Sequence, residues 1–210
     1  MGGRTAAGGG TWVEVAPERL PRWLANFERR HGPYREEGLT LLAEDGATAE
    51  WRTPPGVREV TTLADLVREA GLPRRLGLLL ARKGAVAVGV ADGAELVASK
   101  VDTHYVQGRT AAGGWSQQRF ARRRVNQAKA AAADGAGIVE RLLLPEVRTV
   151  AALVTGGDRT AIDAVLAAPR LAPVAALRAE RVLDVPEPRH AVLVSAVAAA
   201  RAVSVLVREP

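Results

Sequence analysis

His104-Tyr105-Val106-Gln107-Gly108-Arg109-Thr110-Ala111-Ala112-Gly113-Gly114-Trp115-Ser116-Gln117-Gln118-Arg119-Phe120-Ala121-Arg122-Arg123-Arg124 is the stretch on which the reading of this chain turns. Gly113 and Gly114 allow backbone angles closed to other residues and let the chain approach another surface closely. Gln117 and Gln118 follow at once. A side-chain amide can orient a water, and nearby backbone N–H groups can stabilise charge on a carbonyl oxygen. No side chain from Gly113 to Gln118 is a competent general base, so this tip alone cannot drive a demanding hydrolysis. Two readings stand side by side: an uncharged tip delivered into a confined place, or a flexible surface loop ending in helix-start residues.

The residues after the tip are cationic. Arg119, Arg122, Arg123 and Arg124 lie in a helical pattern, with Arg109 before them and Lys129 beyond. Spacings of three and four put Arg119, Arg122 and Arg123 on one helix face. Each guanidinium can fork onto phosphate oxygens, and a helix N-terminus adds attraction for anions. The alternative is a solvated basic face. Between Lys100 and Lys129 the only acid is Asp102, so intrahelical pairing cannot neutralise the run. Phe120 reads as a packing anchor.

The rest of the composition narrows the class. The chain has 210 residues, enough for one good core or one domain with a small accessory layer. Lys plus Arg exceeds Asp plus Glu, 29 against 23, which favours polyanionic partners such as nucleic acid. With no cysteine, disulfides, thiol catalysis and Cys-based metal sites are excluded. His31, His104 and His190 are scattered, so no metal site is expected, and nothing calls for a cofactor. A signal pattern and a membrane-length apolar run are both lacking, so a soluble cytoplasmic protein is expected.

Periodicity divides the chain into three regions. Residues 1–10 are Gly/Ala-rich and expected to be a disordered tail. Residues 11–75 form an N-terminal accessory region. It has an amphipathic helix over Pro17–Arg30, a hairpin of Gly38–Ala43 and Thr48–Arg52 around Asp45-Gly46, and a helix over Thr61–Ala70 ended by Gly71. Trp12, Trp23 and Trp51 are assigned to its core. Residues 76–210 form the main domain. Strands are expected at Gly84–Val90 and Glu95–Val101 about an Asp92-Gly93 turn, with a long helix from Ser116 to about Leu144. A buried strand over Arg148–Val154, a turn at Gly156-Gly157 and a helix over Asp158–Ala168 follow. Next come a strand over Arg181–Val185, a helix from Glu187 to about Arg201, and a final strand or helix continuation at Ser204–Val207. The fold class is therefore α/β (α+β), a mixed sheet with packed helices and a protruding Gly-rich loop leading into a long basic helix.

Two other groupings carry less. Gly156-Gly157-Asp158 is similar to a phosphate-binding turn but lacks the lysine and spacing of a P-loop, which leaves an ordinary strand-to-helix turn. His104 and Tyr105 read as structural residues at the base of the loop. Ser116, His104 and Asp102 have no triad spacing.

The segment from about Leu78 to Ala200 resembles the catalytic domain of the eukaryotic and archaeal class I peptide-chain release factors. In that family a strand hairpin leads to a basic loop with a Gly-Gly-Gln tip and then a helix opening Ser-x-x-Arg-Phe-Ala-Arg-x-Arg. Here Ser116 to Arg124 match that register without a gap. Val90–Gly93 fall where the family has its hairpin, and Ala151–Gly157 where it has its strand. Trp115 stands at the position of the family's glutamine. A glutamine displaced from the Gly-Gly pair is similar to the Gly-Gly-Ser-Gln tip of the Vms-type release factors of ribosome quality control, and the chain is identified as a member of their actinobacterial branch.

That resemblance implies a release-factor catalytic-domain fold and a codon-independent peptidyl-tRNA hydrolase of ribosome rescue, acting on the large subunit and its rRNA. It implies Gln117 as the catalytic residue, with Gln118 as second choice and Gly113 and Gly114 giving reach. Arg109, Arg119, Arg122, Arg123, Arg124 and Lys129 would contact RNA phosphates. The alternative is a non-catalytic ribosome- or RNA-binding module that retains the fold.

Overall fold

The structure, a computed structural model, describes residues 4–82, 84–103 and 116–210, the side chains of 116–126 excepted. The elements of the first half are β1 (Arg4–Thr5), β2 (Thr11–Val15), α1 (Leu20–His31), β3 (Tyr34–Glu37), β4 (Thr40–Ala43), β5 (Thr48–Arg52), α2 (Leu63–Gly71), β6 (Arg75–Arg82), β7 (Ala85–Asp92) and β8 (Glu95–Thr103). The second half contributes α3 (Ser116–Leu142), β9 (Ala152–Gly157), α4 (Arg159–Leu166), α5 (Ala172–Ala175), β10 (Arg178–Leu183), α6 (His190–Arg201) and β11 (Val203–Arg208). The chain divides into two compact units, residues 1–73 with 198–210, and residues 74–197.

The first unit is an antiparallel sheet ordered β1-β2-β11-β5-β4-β3 among the described residues. Strand alternation puts Val15, Leu41, Ala49, Trp51, Val203 and Val205 on one face, where α1 and α2 contribute Leu20, Phe27, Leu63 and Leu66 to the same core. Trp23 stacks on Phe27 at 5.4 Å and meets Trp51 edge-on at 4.9 Å. Trp12 alternates to the other face, half-buried under the Arg52 guanidinium at 4.2 Å, not in the core expected for it. The helices end as their sequences dictate. The Thr62 hydroxyl accepts the Asp65 N–H and donates to the Asp65 carboxylate, and α1 stops at Gly32, whose φ of 81° suits glycine alone.

Two expectations change here. Arg4–Thr5 pair with Thr11–Trp12, so the described part of the 1–10 tail carries a short edge strand. Residues 198–210, grouped with the main region by sequence, join the first unit, because β11 is hydrogen-bonded between β2 and β5 at the middle of its sheet.

The second unit is a mixed sheet ordered β10-β9-β6-β7-β8. β10, β9 and β6 run parallel, and β7 and β8 return antiparallel. β6 and β7 are buried on both faces, so Leu76–Ala81 and Ala85–Ala91 are almost continuously apolar or small. α3 and α4 cover one face, with Leu79, Val86, Val88, Ile138, Val139, Ile162 and Val165 in a shared core. α6 lies on the other, and its Leu193 fills the space above Gly89, where a Cβ would come within 2.9 Å of it. Val97 is the extra residue of a bulge in β8 and is 51% exposed.

The chain end is held by a buried histidine. His31, at the last position of α1, has Nδ1 2.9 Å from Asp45 Oδ2 and Nε2 3.8 Å from Glu209 Oε2, while Arg30 reaches Glu209 at 3.2 Å. The Ala47 N–H and the His31 ring together hold the Asp45 carboxyl below the usual carboxylate range. A depressed folded value means that this carboxylate stabilises the fold above the unfolded aspartate range of about 4 and loses that contribution as pH falls below it. Asp45→Asn is therefore expected to lower Tm at neutral pH, with the gap to wild type narrowing as pH falls below the unfolded aspartate range. Thermal melts of both proteins across that range check it; a gap that persists in acid contradicts the assignment.

Candidate nucleic-acid interface and tip

β8 leads into the segment that carries the tip. Register places Lys100 opposite Val88 and Asp102 opposite Val86, on the sheet face that α3 covers. Lys100 is exposed and Asp102 half-buried. Arg109, Gly113, Gly114, His104, Tyr105 and Trp115 lie outside the described residues.

α3 begins at Ser116 and continues for 27 residues, about 40 Å at helical rise. It passes without a break through Gly135-Ala136-Gly137, where the sequence pattern weakens. Gly135 packs closely against both α4 and the sheet. A Cβ there would stand 3.0 Å from Val165 and 3.2 Å from Val86, so α3 sits between α4 and β7 at a depth that a larger residue would forbid. Ala131, Ala136, Ile138, Val139 and Leu143 extend this seat as buried residues. Glu140 takes an ion pair from Arg170 in the 3₁₀ turn Pro169–Leu171.

Ala128 is in helical phase with Ala131 and Gly135, yet it is exposed. The packed face thus ends near residue 131. The helix positions from 116 to 128, about 20 Å of rise, carry the cations and the glutamines. Gln117 and Gln118 occupy the second and third positions of α3; their side chains lie outside the described residues. As helix positions, Arg119, Arg122 and Arg123 share the stripe of Ala130, Ala133, Gly137 and Arg141, away from the core. Lys129 is exposed two turns after Arg122. Arg124 is in phase with Ala128 and Gly135 instead, so the four arginines do not form a single stripe.

Gly156-Gly157-Asp158 serves packing and capping. The strand runs through Gly157, and a Cβ on it would stand 2.4 Å from the Ala81 carbonyl oxygen, with its φ at 97°. Asp158 donates its N–H to Ala81 O and accepts the Thr160 N–H through its carboxylate, at 2.8 Å each. That carboxylate occupies the N-terminus of α4, where an anion would otherwise bind. Among the described residues no group of three His, Cys, Asp or Glu is placed to hold a metal. No helix among them is long and apolar enough to cross a membrane.

Gly135→Leu is expected to destabilise the second unit by about 1–3 kcal/mol, since the added side chain meets Val86 and Val165. Denaturant unfolding checks this; an unchanged midpoint would show that α3 is not seated through Gly135.

Two archaeal proteins are among the solved structures that have some likeness to the chain. An archaeal protein is 14% identical with a TM-score of 0.40, over 66% of this chain and 37% of that one. The archaeal translation termination factor aRF1 is 13% identical with a TM-score of 0.38, over 83% of this chain and 59% of that one. This chain therefore spans less than two thirds of the length of either. No curated protein matches it. Residues 74–206, more than half the chain and including the whole Gly-Gly tip and basic helix, match the family model of the Actinobacteria/chloroflexi VLRF1 release factors; the chain belongs to that family.

Proposed function

We propose that this protein is a codon-independent peptidyl-tRNA hydrolase that frees nascent chains from tRNA on stalled ribosomes or on separated large subunits. The observation that carries the reading is the family match over 74–206, which contains Gly113-Gly114 and Gln117 directly before the basic helix. In the reaction, the oxygen of a water bonds to the ester carbonyl carbon. The bond from that carbon to the tRNA ribose oxygen breaks, and the proton of the water ends on the ribose hydroxyl. The peptide leaves as a carboxylic acid. Gln117 orients the water through its amide and backbone N–H groups of the tip receive the oxyanion, while Gly113 and Gly114 let the backbone reach the ester. Arg109, Arg119, Arg122, Arg123, Arg124 and Lys129 bind RNA phosphates, which gives association a steep salt dependence.

Trp115, at the position of the release-factor glutamine, favours a second reading as an RNA-binding module without catalysis. Release from peptidyl-tRNA on isolated large subunits without mRNA separates the two. The hydrolase reading expects Gln117→Ala to slow release by about 10²–10³-fold, with Gln118→Ala much milder. Equal activity of wild type and both variants overturns the assignment of the glutamine. Absence of release by the wild type at any concentration, with subunit binding intact, establishes the second reading.

A further inference from the structure

The outward face of α1 carries a second group of cations, in a part of the chain that precedes the family match. Leu20, Phe27 and His31 are buried on the inner face, with Trp23 and Leu24 packed beside them. Arg19, Arg22, Arg29 and Arg30 are all exposed, together with Asn26. At helical rotation these five positions fall within a sector of about 100°, and the stripe is about 16 Å long. The nearby acids do not cancel it. Glu18 is engaged by Arg201, and Glu28 lies on the far side of the helix. Glu209 takes only Arg30 from the stripe, at 3.2 Å. The Arg29 guanidinium donates to the Asn26 amide oxygen at 2.8 Å, an interaction that leaves its charge uncompensated. Arg19 shares the neighbouring Glu18 carboxylate with Arg201, while among the described residues no ion pair holds Arg22 or Arg29.

We propose that this face binds the phosphate backbone of ribosomal RNA, as a contact of the first unit separate from the tip and basic helix of the second. Charge and chemistry select the occupant. Guanidinium forks match phosphate oxygens in pairs, and several such forks on one rigid helix meet successive phosphates of an RNA strand. An anionic membrane is disfavoured because the apolar side of α1, which would have to enter the lipid, is already consumed in the core around Trp51. An acidic protein is disfavoured because the stripe offers no aromatic or aliphatic anchor between its arginines. The choice of ribosomal RNA rests on the release-factor family; the phosphate chemistry does not.

The test is equilibrium binding of the full chain to tRNA-free large subunits from 50 to 300 mM KCl. Three proteins are compared: wild type, R19Q/R22Q/R29Q, and the charge-matched control R58Q/R148Q/R159Q, whose residues are also exposed. The stripe variant is expected to lower the slope of log K against log salt by about two to three and to weaken binding roughly tenfold or more near physiological salt. The control is expected to keep the wild-type slope. Circular dichroism and Tm should match wild type for both. Equal losses in the two variants, or none in the stripe variant, overturn the proposal. So does a loss confined to free deacylated tRNA or to phosphatidylserine-containing vesicles. Binding is read without catalysis, and Gln117→Ala should leave the salt slope unchanged, so failure of the hydrolase reading and failure of this one are distinguishable.

Discussion

The seat of α3 at Gly135 is the constraint on which the functional end of the molecule depends. If the glutamines of its first turn act on the ester as proposed, the helix needs to be anchored far from that turn to give the tip a defined direction. Gly135 allows the helix to sink between Val86 and Val165 to a depth set by the methyl groups of those two side chains. Ile138, Val139 and Leu143 then fix its rotation by burying one stripe. Helical phase then sets the positions of Arg119, Arg122 and Arg123 on the stripe opposite that seat. The doubly buried pair β6–β7 provides the surface for this. Its small and branched residues leave room for α3 and α4 on one side and α6 on the other.

Glycine works differently in β9. Gly156 and Gly157 lie where a Cβ would strike Leu80 and the Ala81 carbonyl, so they let β9 close on β6 and let Asp158 cap α4 at once. The same Gly-Gly pairing thus has a packing role at 156–157 and, in the proposed function, a reaching role at 113–114. Context separates them. One pair ends a buried strand and precedes an acid; the other precedes two amides and a run of cations.

Much of this was legible in the sequence where local chemistry decides structure. The Asp92-Gly93 hairpin, the Asp158 cap and the α3 periodicity all follow from turn residues and spacing, and all are present. β6 was not legible. Arg75–Arg82 is buried on both faces, so it has no alternation, and its leucines carry no strong strand preference. Strand β9 ends three residues beyond its expected limit, because Gly156 and Gly157, which signal a turn, are still paired with β6. The grouping of β11 with the first sheet was also hidden, since pairing between residues 11–15 and 203–207 leaves no local trace. The arginine stripe on α1 was missed for a related reason: until the inner face of that helix is known to be buried, Arg19 to Arg30 reads only as a polar half.

The central claim is that the seated helix delivers the Gly-Gly…Gln tip to the ester of peptidyl-tRNA. The most direct measurement is a cryo-electron microscopy structure of the protein on a large subunit that carries a non-hydrolysable peptidyl-tRNA analogue. The predicted result is Gln117 beside the carbonyl of the ester position, with the first turns of α3 along RNA phosphates. A complex in which α3 points away from the aminoacyl end of the tRNA, or in which Gln117 is remote from that carbonyl, would contradict it.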